Sequence, residues 1–239
     1  MKLFIWDFHG VLEKGNDDAV LEITNLALAR HGYTRGMTRE EGLFLAGQRW
    51  HEYFAFLLPE LEEESHFNLQ STCFEISKHQ PEIIAQHIQL NDHADFVLEA
   101  IQSTSHHQIL ISNTMPHFVD MFVELVGIEK YFPKSHRFGA DTDQQKKTTK
   151  KECLEKFLKD KNYFKTIISI GDSPGDMALT DHDNKLQGVG YLYSHPMRPH
   201  RPAKCDYRIH DLRAVLQEIP TASEQRESIG EPNDYQGQR

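Results

Sequence analysis

The sequence predicts an α/β fold, in which a doubly wound parallel sheet has helices on both faces. Short runs that are apolar throughout suit strands buried on both sides of such a sheet. These runs cover residues 3–6, 109–111, 167–170 and 188–193. Helical periodicity fills the segments between them, which is the alternation that gives parallel βαβ units. The core is therefore predicted to be Rossmann-like.

A helical insertion is predicted from residue 14 to residue 88, because this stretch is too long for an ordinary crossover. Helical patterns cover residues 18–30, 67–79 and 81–89. Thr38 and Glu41 form a capping-box pattern ahead of another apolar segment. Asn91 is expected to cap the helix that returns the chain to the sheet.

The remaining residues are assigned to a core and a tail. Residues 1–13 and 89–218 are expected to form the α/β core. Within it, Pro116 stands where a helix should begin. The last segment, 219–239, is polar and rich in helix breakers, so it is predicted to be a disordered tail or a linker.

Composition narrows the classes of partner. The chain has 239 residues and a formal net charge of −10, whereas a nucleic-acid binder needs a basic footprint. No apolar stretch approaches the ~18 residues of a membrane span, and the N-terminus lacks a signal-peptide pattern. We therefore expect a cytoplasmic protein, with export without a leader as the open alternative. The three cysteines form no CxxC pair, so neither disulfides nor a zinc site is expected.

Polar side chains follow three of the predicted strands. Asp7, Ser112 and Asp172 each stand at the end of an apolar run. Ligands of such sheets bind at the carboxyl ends of the strands. The fold therefore predicts that two carboxylates and a hydroxyl converge in one crevice.

Four short motifs resemble those of the haloacid dehalogenase superfamily, over about residues 1–218. In chain order they are DFHGVL from Asp7, ILISN with Ser112 and Asn113, TTKKECL with Lys150, and GDSPGD with Asp172 and Asp176. Lys147 is the alternative for the third motif. The resemblance implies a phosphatase with a helical cap, and the protein tyrosine phosphatases of the superfamily are one candidate subgroup.

The resemblance also implies a Mg²⁺ site and a covalent nucleophile. Asp7 would attack phosphorus to give an aspartyl-phosphate. The ion would be held by Asp7, Asp172 and the backbone carbonyl of His9, since hard cations prefer oxygen ligands. Asp176 would order metal-bound water or Lys150.

Three further residues are implied to bind the phosphoryl group. Lys150 would spread positive charge between the nucleophile and the phosphoryl oxygens. The hydroxyl of Ser112 and the backbone N–H of Asn113 would donate hydrogen bonds to the same group.

One position departs from the family pattern. Most phosphatases of the superfamily have an aspartate two residues after the nucleophile, as the acid and base of the reaction, and here that residue is His9. Three interpretations stay open. Imidazole could take over the acid/base role, the acid could be missing, or the domain could be inactive.

The substrate prediction follows from the leaving group. An unusual acid favours good leaving groups, so aryl phosphates are predicted to be preferred, with phosphotyrosine in proteins as the biological case. The polar tail suggests a catalytic domain of a longer, partner-directed protein, which could be a secreted effector that acts on host proteins. The alternatives are a small-metabolite phosphatase, acting on a sugar phosphate or nucleotide, and a catalytically silent interaction module.

Two further sequence features allow either a structural or a binding role. The first is an aromatic run in the insertion, which would form the core of the insertion or a wall against substrate: Trp50, Tyr53, Phe54 and Phe56. The second is a basic loop, which would be solvated or would dock an anionic substrate: Arg198, His200, Arg201 and Lys204.

Overall fold

The main sheet has six parallel strands. The computed structural model describes residues 1–140, 148–181, 186–195, 198 and 202–219. The strands of the described residues, of which β2 and β3 lie outside the main sheet, are in chain order β1 (Lys2–Trp6), β2 (Glu13–Lys14), β3 (Gln89–Leu90), β4 (His107–Ser112), β5 (Arg137–Gly139), β6 (Thr166–Gly171), β7 (Gln187–Tyr193) and β8 (Tyr207–Ile209). The sheet runs β5-β4-β1-β6-β7-β8, so β1 lies at its centre between β4 and β6. The predicted doubly wound α/β fold is confirmed.

Helices cover both faces of the sheet and fill the predicted insertion. They are α1 (Asn16–Arg30), α2 (Arg39–Leu45), α3 (Trp50–Leu57), α4 (Glu63–His79), α5 (Pro81–His87), α6 (Ala94–Gln102), α7 (Pro116–Leu125), α8 (Lys150–Leu158) and α9 (Pro174–Met177). Short 3₁₀ helices cover Lys134–His136, Ala178–Thr180 and Leu212–Glu218. The Thr38–Glu41 capping box is present, and Pro116 opens α7 as the sequence predicts.

Strand β1 explains why the sheet needs cover on both sides. Leu3 and Ile5 pack on one face, in a cluster with residues of α8. Phe4 and Trp6 point to the other face, in a larger cluster with residues of α6 and α7. All four side chains are fully buried, as expected from a run of residues, 3–6, that is apolar throughout.

The two connections to the helical insertion run side by side. Strands β2 and β3 form a two-stranded antiparallel sheet, with Glu13 paired to Leu90. Asn91 strengthens this pair, because its backbone N–H donates to Leu12 O and its side chain donates to Val11 O, both at 2.8 Å. The expectation that Asn91 caps a helix is wrong. The cap of α6 is His93, and the Asn91 amide is already engaged with the opposite connection.

Gly15 allows the chain to turn from β2 into α1. Its φ is +101°, and a Cβ at this position would lie 2.0 Å from the carbonyl oxygen of His87. Any side chain would therefore displace the neighbouring backbone of α5. Among the described residues, no helix is long and apolar enough to cross a membrane. The predicted tail lies outside the described residues from 220 onward.

Candidate active site

The carboxyl ends of three adjacent strands bring the predicted polar residues to one crevice. Asp7 follows β1, Ser112 ends β4, and Asp172 follows β6. Asp7 and Ser112 are both buried, and all three residues line a cavity of about 200 Å³. Their convergence is dictated by the parallel order of the strands.

Lys150 reaches this crevice from the first turn of α8. Thr149 caps the helix through a capping box, which fixes the first turn of α8 and therefore the position of Lys150. The ammonium donates to Asp7 Oδ1 at 2.7 Å and to Asp176 Oδ1 at 2.6 Å. The structure therefore brings Lys150 to the predicted nucleophile. Lys147, the alternative, lies outside the described residues.

Three carboxylates form a cluster with the geometry of a cation site. Oxygen atoms of Asp7, Asp172 and Asp176 all lie within 4.8 Å of one another. Asp176 is the least available of the three, because Oδ1 accepts from Lys150 while Oδ2 accepts from the backbone N–H and hydroxyl of Ser173. Asp7 and Asp172 are therefore the better direct ligands, and the oxygen donor set suits Mg²⁺.

Burial disfavours the charged forms of the side chains in this cluster and shifts their pKa values. The pKa of Asp7 is raised to about 7: burial raises it most, the neighbouring Asp176 and Asp172 raise it as well, and Lys150 opposes them. Burial alone would lower the pKa of Lys150, but Asp176 and Asp7 raise it above its ordinary value. The lysine is thus held cationic, whereas the carboxylates need more positive charge than one lysine provides.

His9 lies beside the nucleophile with its ring held on several sides. Its Nδ1 is 3.0 Å from Glu13 Oε1. The ring packs edge-on against Phe122, with 4.8 Å between centroids, and against Phe8 at 5.1 Å. The side chain is 23% exposed and lines the same cavity as Asp7. The ring edge that carries Nε2 is therefore the one available to a substrate.

Ser112 offers a buried hydroxyl to the cavity. Its side chain is among the least exposed in the protein, yet its Oγ has no hydrogen-bond partner among the described residues. Buried polar atoms are normally paired, so an unpaired hydroxyl at a strand end indicates a ligand-binding position. Asn113 follows it along the wall of the cavity, and binding of a phosphoryl group by these two residues stays a prediction.

The helical insertion closes the opposite side of the cavity with aromatic residues. Trp50, Tyr53 and Phe74 line it from α3 and α4. Phe54 is fully buried within the insertion, whereas Phe56 is exposed. Tyr53 belongs to the packed core and also lines the cavity, so a packing role is confirmed for it and a wall against substrate stays a prediction.

Arg198 comes from the basic loop after β7 and lies inside the site. The expectation of a solvated loop is wrong for this residue, because its side chain is only 8% exposed. Its guanidinium contacts Asp172 and also binds Asp17 of α1 through two hydrogen bonds of 2.9 Å. Despite burial, Asp17 and Asp172 raise its pKa above the ordinary value. Lys204 is exposed, and His200 and Arg201 lie outside the described residues.

Two acids of the site, Glu13 and Asp17, were not predicted from the sequence, and the buried position of Arg198 was not predicted either. Glu13 stands four residues after His9, and this spacing is a signal only once the turn between them is known. Asp17 lies in the first turn of α1, where an acid is explained by the helix dipole alone. Arg198 carries no local signal, because its partners lie 181 and 26 residues away in the chain.

Comparison with known families identifies the class of protein. The profile of the haloacid dehalogenase-like hydrolases matches residues 4–182. That is more than half of the chain, and it includes Asp7, Ser112, Lys150 and Asp172. The protein belongs to the haloacid dehalogenase-like hydrolase family. This membership confirms the resemblance drawn from the four motifs and the prediction of an enzyme of the hydrolase class.

Solved structures share the whole fold at low sequence identity. A haloacid dehalogenase-like family hydrolase from Streptococcus pneumoniae is 15% identical with a TM-score of 0.71, covering 92% of this chain and 98% of its own. A predicted phosphoglycolate phosphatase from Haemophilus somnus is 14% identical with a TM-score of 0.72, covering 91% and 97%. A family member from Deinococcus radiodurans with bound phosphate and sodium is 16% identical, with a TM-score of 0.59 and coverages of 91% and 94%. Comparison with curated protein sequences gave no match.

Proposed function

We propose that the protein is a Mg²⁺-dependent phosphatase that hydrolyses small phosphomonoesters through an aspartyl-phosphate on Asp7. The observation that carries the proposal is Lys150, whose ammonium lies between Asp7 and Asp176 at 2.7 and 2.6 Å. Removing two carboxylates and a lysine from water is costly, so a site that gathers them beside an open cavity indicates catalysis.

The cation is proposed to be held by Asp7, Asp172 and the backbone carbonyl of His9, with Asp176 holding Lys150. The oxygen cluster within 4.8 Å supports this assignment. When bound, Mg²⁺ supplies positive charge that offsets the charge of the phosphate and of the carboxylates. The raised pKa of Asp7 supports the same conclusion, because a nearby cation would favour the ionised nucleophile.

Protein groups carry the two proposed chemical steps. The Asp7 carboxylate attacks phosphorus, the bond to the leaving oxygen breaks, and His9 donates a proton to that oxygen. Water then attacks the aspartyl-phosphate, His9 takes a proton from it, and the Asp7–phosphorus bond breaks to release phosphate. Lys150, Ser112 and Asn113 bind the phosphoryl oxygens in both steps. Of the three interpretations of His9, its position beside Asp7 favours the acid/base role.

The cavity favours a small substrate over a phosphorylated protein. Its volume is about 200 Å³, and it is walled by strand ends on one side and by α1, α3 and α4 on the other. We propose that residues 14–88 act as a cap, which must close over the leaving group. A phosphotyrosine within a protein would have to enter past this cap. The phosphoglycolate name of one structural neighbour is consistent with a small metabolite.

Aryl phosphates are the second candidate class. Trp50, Tyr53, Phe74 and Phe122 give the cavity an aromatic wall against which a phenyl ring could pack. This wall supports the aryl preference drawn from the leaving-group argument. It would favour a small aryl phosphate as well as an aryl group that belongs to a protein. Cytoplasmic residence and export both stay predictions.

A substrate panel tests the proposal. We expect hydrolysis of sugar phosphates, nucleotides or short phosphoacids in Mg²⁺, and its loss in excess EDTA, with phosphotyrosine peptides and aryl phosphates measured alongside by kcat/KM. Asp7→Asn should lower the rate more than about a hundredfold, because the amide cannot attack phosphorus. Asp181→Asn, an exposed acid outside the cavity, is the matched control. Equal activity in EDTA, or retained activity in Asp7→Asn, contradicts the proposal.

A further inference from the structure

A buried glutamate supports the histidine that replaces the usual second aspartate. Glu13 is fully buried, and both of its carboxylate oxygens are used. Oε1 accepts from the backbone N–H of Gly10 at 3.0 Å and lies 3.0 Å from His9 Nδ1, while Oε2 accepts from the backbone N–H of Asn16 at 3.2 Å. The carboxylate is thus fixed by two backbone donors on the Nδ1 side of the ring, and among the described residues the cavity is lined by His9 but not by Glu13.

This arrangement determines which imidazole nitrogen can react. Both oxygens of Glu13 already accept from backbone N–H groups, so the carboxyl group faces His9 as an acceptor and Nδ1 carries the proton of this contact. With Nδ1 engaged by Glu13, Nε2 is the ring nitrogen left to contact the substrate. The same nitrogen can donate a proton in one step and accept one in the next, which is what the two steps of the proposed reaction require.

We propose that Glu13 is a positioning residue that holds His9 in the Nδ1–H tautomer and aims Nε2 at the substrate. The inference rests on the proposed phosphatase function and adds a residue to it. It also explains how the departure at His9 is compatible with activity. An aspartate needs no tautomer control, whereas an imidazole does.

The kinetic test uses a graded series at position 13. Glu13→Gln keeps an acceptor but removes the charge, and Glu13→Met keeps the length but removes the acceptor. We expect Glu13→Met to lower kcat on alkyl phosphates by about a hundredfold and on aryl phosphates by less than about tenfold, with Glu13→Gln in between. KM should stay within about twofold, because Glu13 does not touch the substrate.

A double mutant separates positioning from folding. If Glu13 acts through His9, Glu13→Met should cost nothing further once His9→Ala is present. Glu75 offers a matched control, since its carboxylate lies 3.0 Å from His79 Nε2 at the same spacing, on the exposed face of α4. Glu75→Met should leave both substrates unaffected. Equal losses of activity on both substrate classes, or an undiminished loss in the His9→Ala background, would overturn the inference.

A spectroscopic test works without turnover. In ¹⁵N-labelled protein at mildly alkaline pH, the His9 ring should show a protonated Nδ1 and a bare Nε2. Glu13→Met should release this preference while Glu13→Gln retains it. Absence of turnover in the wild type would refute the proposed function alone. A His9 ring protonated at Nε2 in the wild type, or a tautomer unchanged in Glu13→Met, would refute the role of Glu13 even in an active enzyme.

Discussion

Replacing Lys150 by methionine tests the electrostatic balance of the site. Methionine has similar length but no charge, so Asp7 and Asp176 would lose the ammonium that lies 2.7 and 2.6 Å from them. Breaking a buried ion pair by removing one partner costs about 3–5 kcal/mol. In a chain of this size, each kcal/mol lowers the Tm by roughly 2–4 °C, so we expect a decrease of roughly 6–20 °C without metal.

The loss of stability should depend on pH in a defined direction. Burial and Asp176 already raise the pKa of Asp7 to about 7, and removing Lys150 takes away the group that opposes them. The folded variant then binds more protons than its unfolded chain, and its stability falls as pH rises from about 4 to 7 and beyond. Acidification should therefore restore part of the lost Tm.

Thermal melts with and without Mg²⁺ measure these effects. A cation that binds the carboxylates stabilises the folded state by mass action, about 2.7 kcal/mol at a concentration 100 times Kd. Mg²⁺ should recover part of the stability lost in Lys150→Met, while its hydrolytic activity stays low. Lys151→Met, one residue further along α8 at an exposed position, is the control. A Tm unchanged in Lys150→Met, or one that falls further on acidification, would refute this account.

Two further predictions concern the metal. Because the pKa of Asp7 is raised to about 7, protons should compete with Mg²⁺ for this carboxylate below that pH. The Mg²⁺ affinity measured by calorimetry should therefore weaken by up to about tenfold per pH unit. An affinity that does not change with pH would contradict this prediction. Arg198 competes for Asp172, and a hydrogen bond between charged groups contributes about 1.5–3 kcal/mol, so Arg198→Met should tighten Mg²⁺ binding about tenfold or more. Arg213→Met, which breaks an exposed pair with Asp211, should leave the affinity unchanged. An unchanged or weaker affinity in Arg198→Met would show that the guanidinium does not compete.

The parts of the fold that the sequence predicts well are those where local pattern and burial agree. Four apolar runs became central strands because a parallel sheet buries both faces. Strands β2 and β3 have two residues each, which is too short for any periodicity. The prediction that Asn91 caps a helix was wrong because its side chain instead donates a hydrogen bond to a carbonyl oxygen 80 positions away in the chain. Local signals cannot report such long-range competition.

The site divides in the same way between local and distant information. Asp7, Ser112 and Asp172 were predictable, because strand ends in a parallel sheet converge whatever the sequence between them. Lys150 needed the resemblance, since a lysine at the start of a helix is common. The partners of Glu13 and Arg198 follow only from the turn after β1 and from the tertiary position of Arg198 against α1. These contacts are tertiary, so no pattern along the chain specifies them.

The balance of charge supports the proposal that this site binds an external cation. Among the described residues around the cavity, five acidic side chains lie near two cationic side chains, Lys150 and Arg198. The acids are Asp7, Glu13, Asp17, Asp172 and Asp176. A phosphate monoester brings further negative charge into this field, and Coulomb repulsion is strong where water is largely excluded. Arg198 cannot relieve it, because its guanidinium is shared between Asp17 and Asp172. A divalent ion at Asp7 and Asp172 would offset the excess of negative charge. Phosphate binding should therefore depend on the metal even before chemistry begins.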